Sequence, residues 1–97
     1  MAVTALVEMK AKPGRRDERL SLVERIIKDR GPNVSGFLRA TLYKAVDDPD
    51  IVVEIADWES AEARQAVREQ AEAAGAFAPM LGLLADRPRD MLVERQP

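Results

Sequence analysis

The sequence predicts an α+β fold: one four-stranded antiparallel sheet with two helices on one face. Three observations carry this. Apolar residues recur at helical spacing in two stretches and alternate in four others, in the order β-α-β-β-α-β. The link between the second and third strands is one short turn, which makes them an antiparallel hairpin. The chain has 97 residues, the size of one small domain spanning 1–97.

Each element has a local reason. Residues 3–10, Val-Thr-Ala-Leu-Val-Glu-Met-Lys, alternate and begin β-branched, so they read as a strand. Lys12-Pro13-Gly14 ends it, because proline removes a ladder donor and glycine permits a turn. Residues 16–30 read as a helix whose stripe is Leu20, Val23, Ile26 and Ile27, widened by Leu22. The charge runs Arg15-Arg16 and Glu18-Arg19 read as its solvated face. Gly31-Pro32 stops that helix. Residues 37–46 form a second strand, with Phe37, Arg39, Thr41 and Tyr43 on one face and Leu38, Ala40, Leu42 and Lys44 on the other. Asp47-Asp48-Pro49-Asp50 is the turn. Residues 51–58 are the third strand, with Ile51, Val53 and Ile55 opposite Val52, Glu54, Ala56 and Trp58.

Ser60 is a good N-cap and Glu62 suits a helix start, so the Ala-rich run 61–74 is the second helix, interrupted by Gly75. Residues 76–85 are a short apolar segment of one or two helical turns, and 89–95 make the last strand. The two β-α-β halves repeat at the level of elements, which is the ferredoxin-like arrangement. The first and third strands are then central. Both carry apolar residues on both faces, yet two helices cover only one. A second copy of the chain is the simplest cover for the other face, so a homodimer is expected.

Composition narrows the chemistry. There is no Cys and no His, which excludes disulfides, thiolate zinc, Cys nucleophiles, imidazole bases and His-ligated heme; no metal is expected. Fifteen basic residues against seventeen acidic ones leave net −2 and no basic patch for a nucleic acid. No apolar run is long enough to span a membrane and no signal peptide is visible, so a cytoplasmic location is the expectation.

Gly36-Phe37-Leu38-Arg39-Ala40-Thr41, the acidic turn 47–50 and Asp57-Trp58-Glu59-Ser60-Ala61-Glu62-Ala63 together resemble the antibiotic biosynthesis monooxygenase family. The resemblance extends over nearly the whole chain and implies a dimeric α+β barrel with a small cavity between each sheet and its helices. It implies a cofactor-independent monooxygenase, needing no flavin, heme or metal, that binds a flat phenol or anthrone and helps to deprotonate it for reaction with O2. Polyketide oxidases of this kind are similar at Trp58. Where they carry an Asn four residues earlier this chain has Glu54, where they carry a Tyr six residues later it has Arg64, and where they carry an Arg after the second helix the matching position is near Ala78. Heme-degrading relatives differ at all three corresponding positions, near Val7, Val67 and Phe77.

Six residues follow as candidates. Glu54 is a mid-strand carboxylate: either a general base with a raised pKa or the partner of an Arg on the next strand, such as Arg39. Trp58 either stacks on a flat ligand and donates its one N–H, or plugs the core. Arg39 either binds an anionic oxygen or lies at the rim. Tyr43 either donates to the ligand or caps the dimer, and Arg64 either steadies an anion or stays at the surface. Phe77 belongs to an apolar segment that is either core or a lid hinged at Gly75 and Gly82. Two other functions fit the same residues: a non-catalytic dimeric ligand-binding or accessory protein, and a non-oxidative isomerase or cyclase.

Overall fold

The elements form where the periodicity puts them. A computed structural model describes residues 2–30, 33–75, 85 and 88–96. Its order is β1 (Val3–Lys10), α1 (Arg16–Arg30), β2 (Phe37–Lys44), β3 (Ile51–Trp58), α2 (Ala61–Ala73) and β4 (Arg89–Val93). The strands make one sheet in the order β2-β3-β1-β4, every pair antiparallel. This is the ferredoxin-like arrangement, with β1 and β3 central as their two-sided apolar patterns require. No helix among the described residues is long and apolar enough to cross a membrane.

Both helices pack on one sheet face. Leu20 of α1 joins the cluster of Val7, Met9 and Val52, and Val67 of α2 joins that of Ala5, Ala56 and Trp58. Residues paired across the ladder share a face, so Val3, Ala5, Val7 and Met9 stand beside Trp58, Ala56, Glu54 and Val52 under the helices. The opposite, open face carries Leu6, Val53 and Ile55 at its centre, with Tyr43, Met91 and Val93 exposed around them.

Three boundaries differ from the expected ones. The second strand stops at Lys44 rather than residue 46, because the chain has already entered its turn. There Ala45 N–H donates to the Ile51 carbonyl at 3.0 Å, and Asp50 N–H donates to the Asp48 side chain at 2.9 Å. Arg16 fastens this turn to α1 by donating to the carbonyls of Ala45 and Asp48 at 3.2 and 3.1 Å. β4 stops at Val93 rather than residue 95, where its pairing with β1 ends at Thr4. α2 ends at Ala73, capped by Ala74 and followed by Gly75 at φ +69°. Its start is as expected, with the Ser60 hydroxyl accepting from Ala63 N–H at 3.1 Å. The expected helix stop at Gly31-Pro32 and the apolar segment 76–84, Phe77 included, lie outside the described residues.

One irregularity repositions side chains. Phe37 pairs with Trp58 and Arg39 with Asp57, so two steps on β2 match one on β3. This β-bulge puts Phe37 against Trp58 on the helix side, ring centroids 5.3 Å apart and edge to face, instead of on the face of Arg39, Thr41 and Tyr43. Gly36 enters the bulge at φ +85°, and a Cβ there would stand 2.5 Å from the Cβ of Ala63. Gly36→Ala therefore meets both a left-handed backbone and the start of α2. It is expected to cost about 2–4 kcal/mol, read as a lowered urea midpoint; an unchanged midpoint would mean that α2 yields freely.

Candidate functional site

The helix-covered face holds a row of side chains set by the strand register: Asp90 on β4, Val7 on β1, Glu54 on β3 and Leu42 on β2. At the spacing of adjacent strands, Glu54 and Asp90 stand about 10 Å apart with Val7 between them. Arg64 of α2 reaches into this row. Its Nη2 donates to Asp90 Oδ2 at 2.7 Å, its side chain is only 11% exposed, and Arg68 adds a second bond to the same oxygen at 2.9 Å. Asp90 thus fixes Arg64 within electrostatic reach of Glu54 while Glu54 itself stays free of it.

Glu54 makes no salt bridge or side-chain hydrogen bond among the described residues. Burial pushes its carboxyl above the ordinary glutamate value. The guanidiniums of Arg64 and Arg19 pull it back in part, and the charge of Asp90 adds to the rise. A carboxyl raised in this way is a stronger base than a solvated glutamate, which is what a general base needs.

The raised value has a consequence for stability, and its sign is fixed. The folded chain keeps a proton on Glu54 at pH values where the unfolded chain has lost it. That contribution is complete below the unfolded value of about 4.3 and is lost as pH rises through the folded one. Glu54→Gln mimics the protonated form and has no proton to lose. Its urea midpoint is expected to match the wild type in acid and to exceed it increasingly as pH rises to neutral; a variant less stable at neutral pH would contradict the raised value.

Trp58 lies four residues along β3 from Glu54 on the same face, about 13 Å away along the strand. It is 9% exposed, and its indole N–H is buried without an acceptor among the described residues. Its ring is packed in the core, and its N–H is a donor with nothing to bond among the described residues.

The remaining candidates separate. Glu54, Trp58 and Arg64 share the helix side, whereas Arg39 and Tyr43 project from the open face. Arg39 is not the partner of Glu54. Its Nε donates to Asp57 Oδ2 at 2.6 Å, and Thr4 donates to the other oxygen of Asp57 at 2.8 Å. These two bonds, Thr4 first, hold the Asp57 carboxyl below its ordinary value. The expected pairing failed because successive pairs along the ladder alternate faces, and the register sets Arg39 against Asp57 on the open face and Leu42 against Glu54 under the helices. A depression of about 450 Å³ on the open face is lined by Thr4, Leu38, Arg39, Asp57 and Val93, and does not include Glu54.

Besides Phe37, Arg19 lies elsewhere than the sequence pattern suggests. Arg19 was expected on the solvated face of α1, and it is 4% exposed. Its Nη2 approaches the thioether of Met9 at 2.8 Å, while Nε and Nη1 are buried with no partner among the described residues. The signal was available in the spacing: Arg19, Val23 and Ile26–Ile27 fall at i, i+4 and i+7/8, so the charge stands on the apolar stripe.

Comparison with solved structures agrees with this architecture. SnoaB, a cofactor-independent oxygenase from Streptomyces nogalater, is similar over 99% of this chain and 94% of its own, at 21% identity and a TM-score of 0.83. A Mycobacterium tuberculosis protein is similar over 100% and 97% at 16% identity and a TM-score of 0.82. A conserved protein from Methanosarcina mazei is similar over 99% and 94% at 14% identity and a TM-score of 0.83. At these identities the likeness is one of fold. No curated protein sequence matches the chain. The family model described as antibiotic biosynthesis monooxygenase matches residues 2–79, from β1 through α2, and the chain belongs to that family.

Proposed function

We propose that the protein is a cofactor-independent monooxygenase that oxidises a flat aromatic or polyketide-like substrate with O2, and that it works as a homodimer. The observation that carries the reading is Glu54: an ionisable side chain under the helices, with a raised pKa and no bonded counter-ion among the described residues. A structural carboxylate there would be expected to bond to a cation, as Asp57 and Asp90 do. Family membership and the similar fold of an oxygenase from Streptomyces nogalater support the same reaction class.

The chemistry follows from the positions. Glu54 takes a proton from an acidic phenol or from the methylene of an anthrone, leaving an electron-rich anion. Arg64, held by Asp90, offsets the charge that develops beside it. Trp58 offers a stacking surface and an N–H for a substrate oxygen. The anion reduces O2 and forms a carbon–oxygen bond; the peroxide so formed loses water. For an anthrone the balance is CH2 plus O2 giving C=O plus H2O, with Glu54 returning its proton to the departing oxygen.

The open face supports the dimer. Tyr43 is 52% exposed, Leu38 53% and Met91 44%, around a partly covered centre of Leu6, Val53 and Ile55. That is an apolar patch of the kind a monomer rarely presents. Arg39, Tyr43 and the nearby depression belong in this reading to the interface rather than to the reacting site. Light scattering at micromolar concentration is expected to give twice the chain mass; a monomer would refute the dimer.

Oxygen uptake with a panel of anthrones and hydroquinones tests the reaction. Uptake above the spontaneous rate, one O2 per quinone formed from an anthrone, is expected. A well-folded protein that adds nothing to the spontaneous rate across the panel would favour the isomerase or binding reading. The presence of Glu54 where polyketide oxidases carry Asn makes that second reading specific, since a proton-transfer reaction needs the base and no oxygen.

A further inference from the structure

We propose that Arg19 is the anchor for an ionised oxygen of the ligand, and that the protein selects planar organic acids, whether phenolate, enolate or carboxylate, over neutral analogues of the same shape. The inference rests on the reading that the ligand lies in the helix-covered layer beside Glu54.

Four arginines that border the sheet are already engaged. Arg64 and Arg68 share Asp90, Arg39 is bonded to Asp57, and Arg16 is bonded to two backbone carbonyls. Arg19 differs. It is 4% exposed, it projects from α1 onto the layer of Met9, and its Nε and Nη1 have no acceptor among the described residues. A thioether is a weak acceptor and does not offset the lost hydration of a guanidinium. Nε–H and Nη1 lie on different edges of the guanidinium, so each is a separate charged donor, and an ionised oxygen that meets either gains a charge-assisted hydrogen bond.

The charge pattern fits the same ligand. Glu54 lies within electrostatic reach of Arg19 but makes no salt bridge to it. A base and an unpaired cation held apart under one pair of helices are arranged for a group that gives its proton to the first and its negative charge to the second. An apolar side chain at position 19 would pack against Met9 without leaving donors unsatisfied, so a purely structural role gives no reason for an arginine.

The test uses two quinones that cannot undergo the proposed oxidation, anthraquinone-2-carboxylate and its neutral carboxamide. Binding is followed by quenching of Trp58, the one tryptophan in the chain. Wild-type protein is expected to prefer the carboxylate. Arg19→Met is expected to weaken the carboxylate about 10- to 100-fold and leave the carboxamide unchanged, with a melting temperature no lower than wild type. Equal carboxylate affinity in variant and wild type, with oxygen uptake intact, would overturn the anchor alone. Equal loss of both ligands with a lowered melting temperature would make Arg19 structural and overturn it as well. Wild-type protein that binds neither compound would overturn the anchor together with the ligand layer it rests on.

Discussion

Glu54→Gln is expected to lower oxygen uptake by about 10²- to 10⁴-fold, the usual contribution of a positioned general base. The amide keeps the size of the side chain and its place between Val52 and Ala56 on β3, so the effect isolates proton acceptance from packing. The loss belongs in kcat and kcat/KM together, because the proton is taken in the reacting complex rather than on binding. In the wild type the rate should rise with pH through the raised pKa of Glu54, since only the ionised carboxylate accepts a proton. In the variant that limb disappears. Glu54→Asp, one methylene shorter, should recover part of the rate. Uptake by Glu54→Gln at the wild-type rate would remove Glu54 from the reaction and leave it a half-buried carboxyl, unpaired among the described residues.

Trp58→Ala is expected to destabilise the fold by about 3–5 kcal/mol. The indole is the largest member of the cluster with Ala5 and Ala56, and Val3, Val34, Phe37, Ala40 and Val67 all pack against that cluster. Small neighbours on both sides leave little that can move in to fill the space. For a chain of this length, with a stability of roughly 5–15 kcal/mol, such a loss is a large share of the total. Trp58→Phe separates the two roles of the residue. It keeps a ring against Phe37 and gives up an N–H that has no acceptor among the described residues, so it should cost much less stability. It should still weaken a ligand whose oxygen uses that N–H. Because no other tryptophan is present, unfolding of both variants is followed by circular dichroism rather than fluorescence. A Trp58→Ala protein within about 1 kcal/mol of wild type would show that the cluster collapses onto the gap.

The architecture was legible because each element states its own period. β1 and β3 are apolar on both faces and are central; Ser60 caps α2; the Asp-rich turn closes the β2–β3 hairpin. The site was legible only where strand alternation decides it. Glu54 and Trp58 are an even number of residues apart on β3, so they share a face whatever the register. Arg39 and Tyr43 depend on pairing between strands and on the bulge between Phe37 and Arg39. No proline or glycine marks that bulge within the strand itself; Gly36 stands just before it. Alternation alone therefore put Phe37 on the wrong face. Arg19 was hidden for a different reason. A charge beside Glu18 reads as solvated, and burial of an arginine without a bonded counter-ion runs against its solvation energy. Such an exception is most informative at a site built to receive something else.

The position of Glu54 on the pH scale tests the central claim most directly. Its side-chain carboxyl can be titrated by carbon-detected nuclear magnetic resonance on selectively labelled protein, with Glu54→Gln supplying the assignment. The expected midpoint lies above the ordinary glutamate value of about 4.3 and moves further upward when Arg64, whose charge holds it down, is replaced by Met. A midpoint at or below the ordinary value would mean that Glu54 is solvated or ion-paired, and the proposed base would be lost.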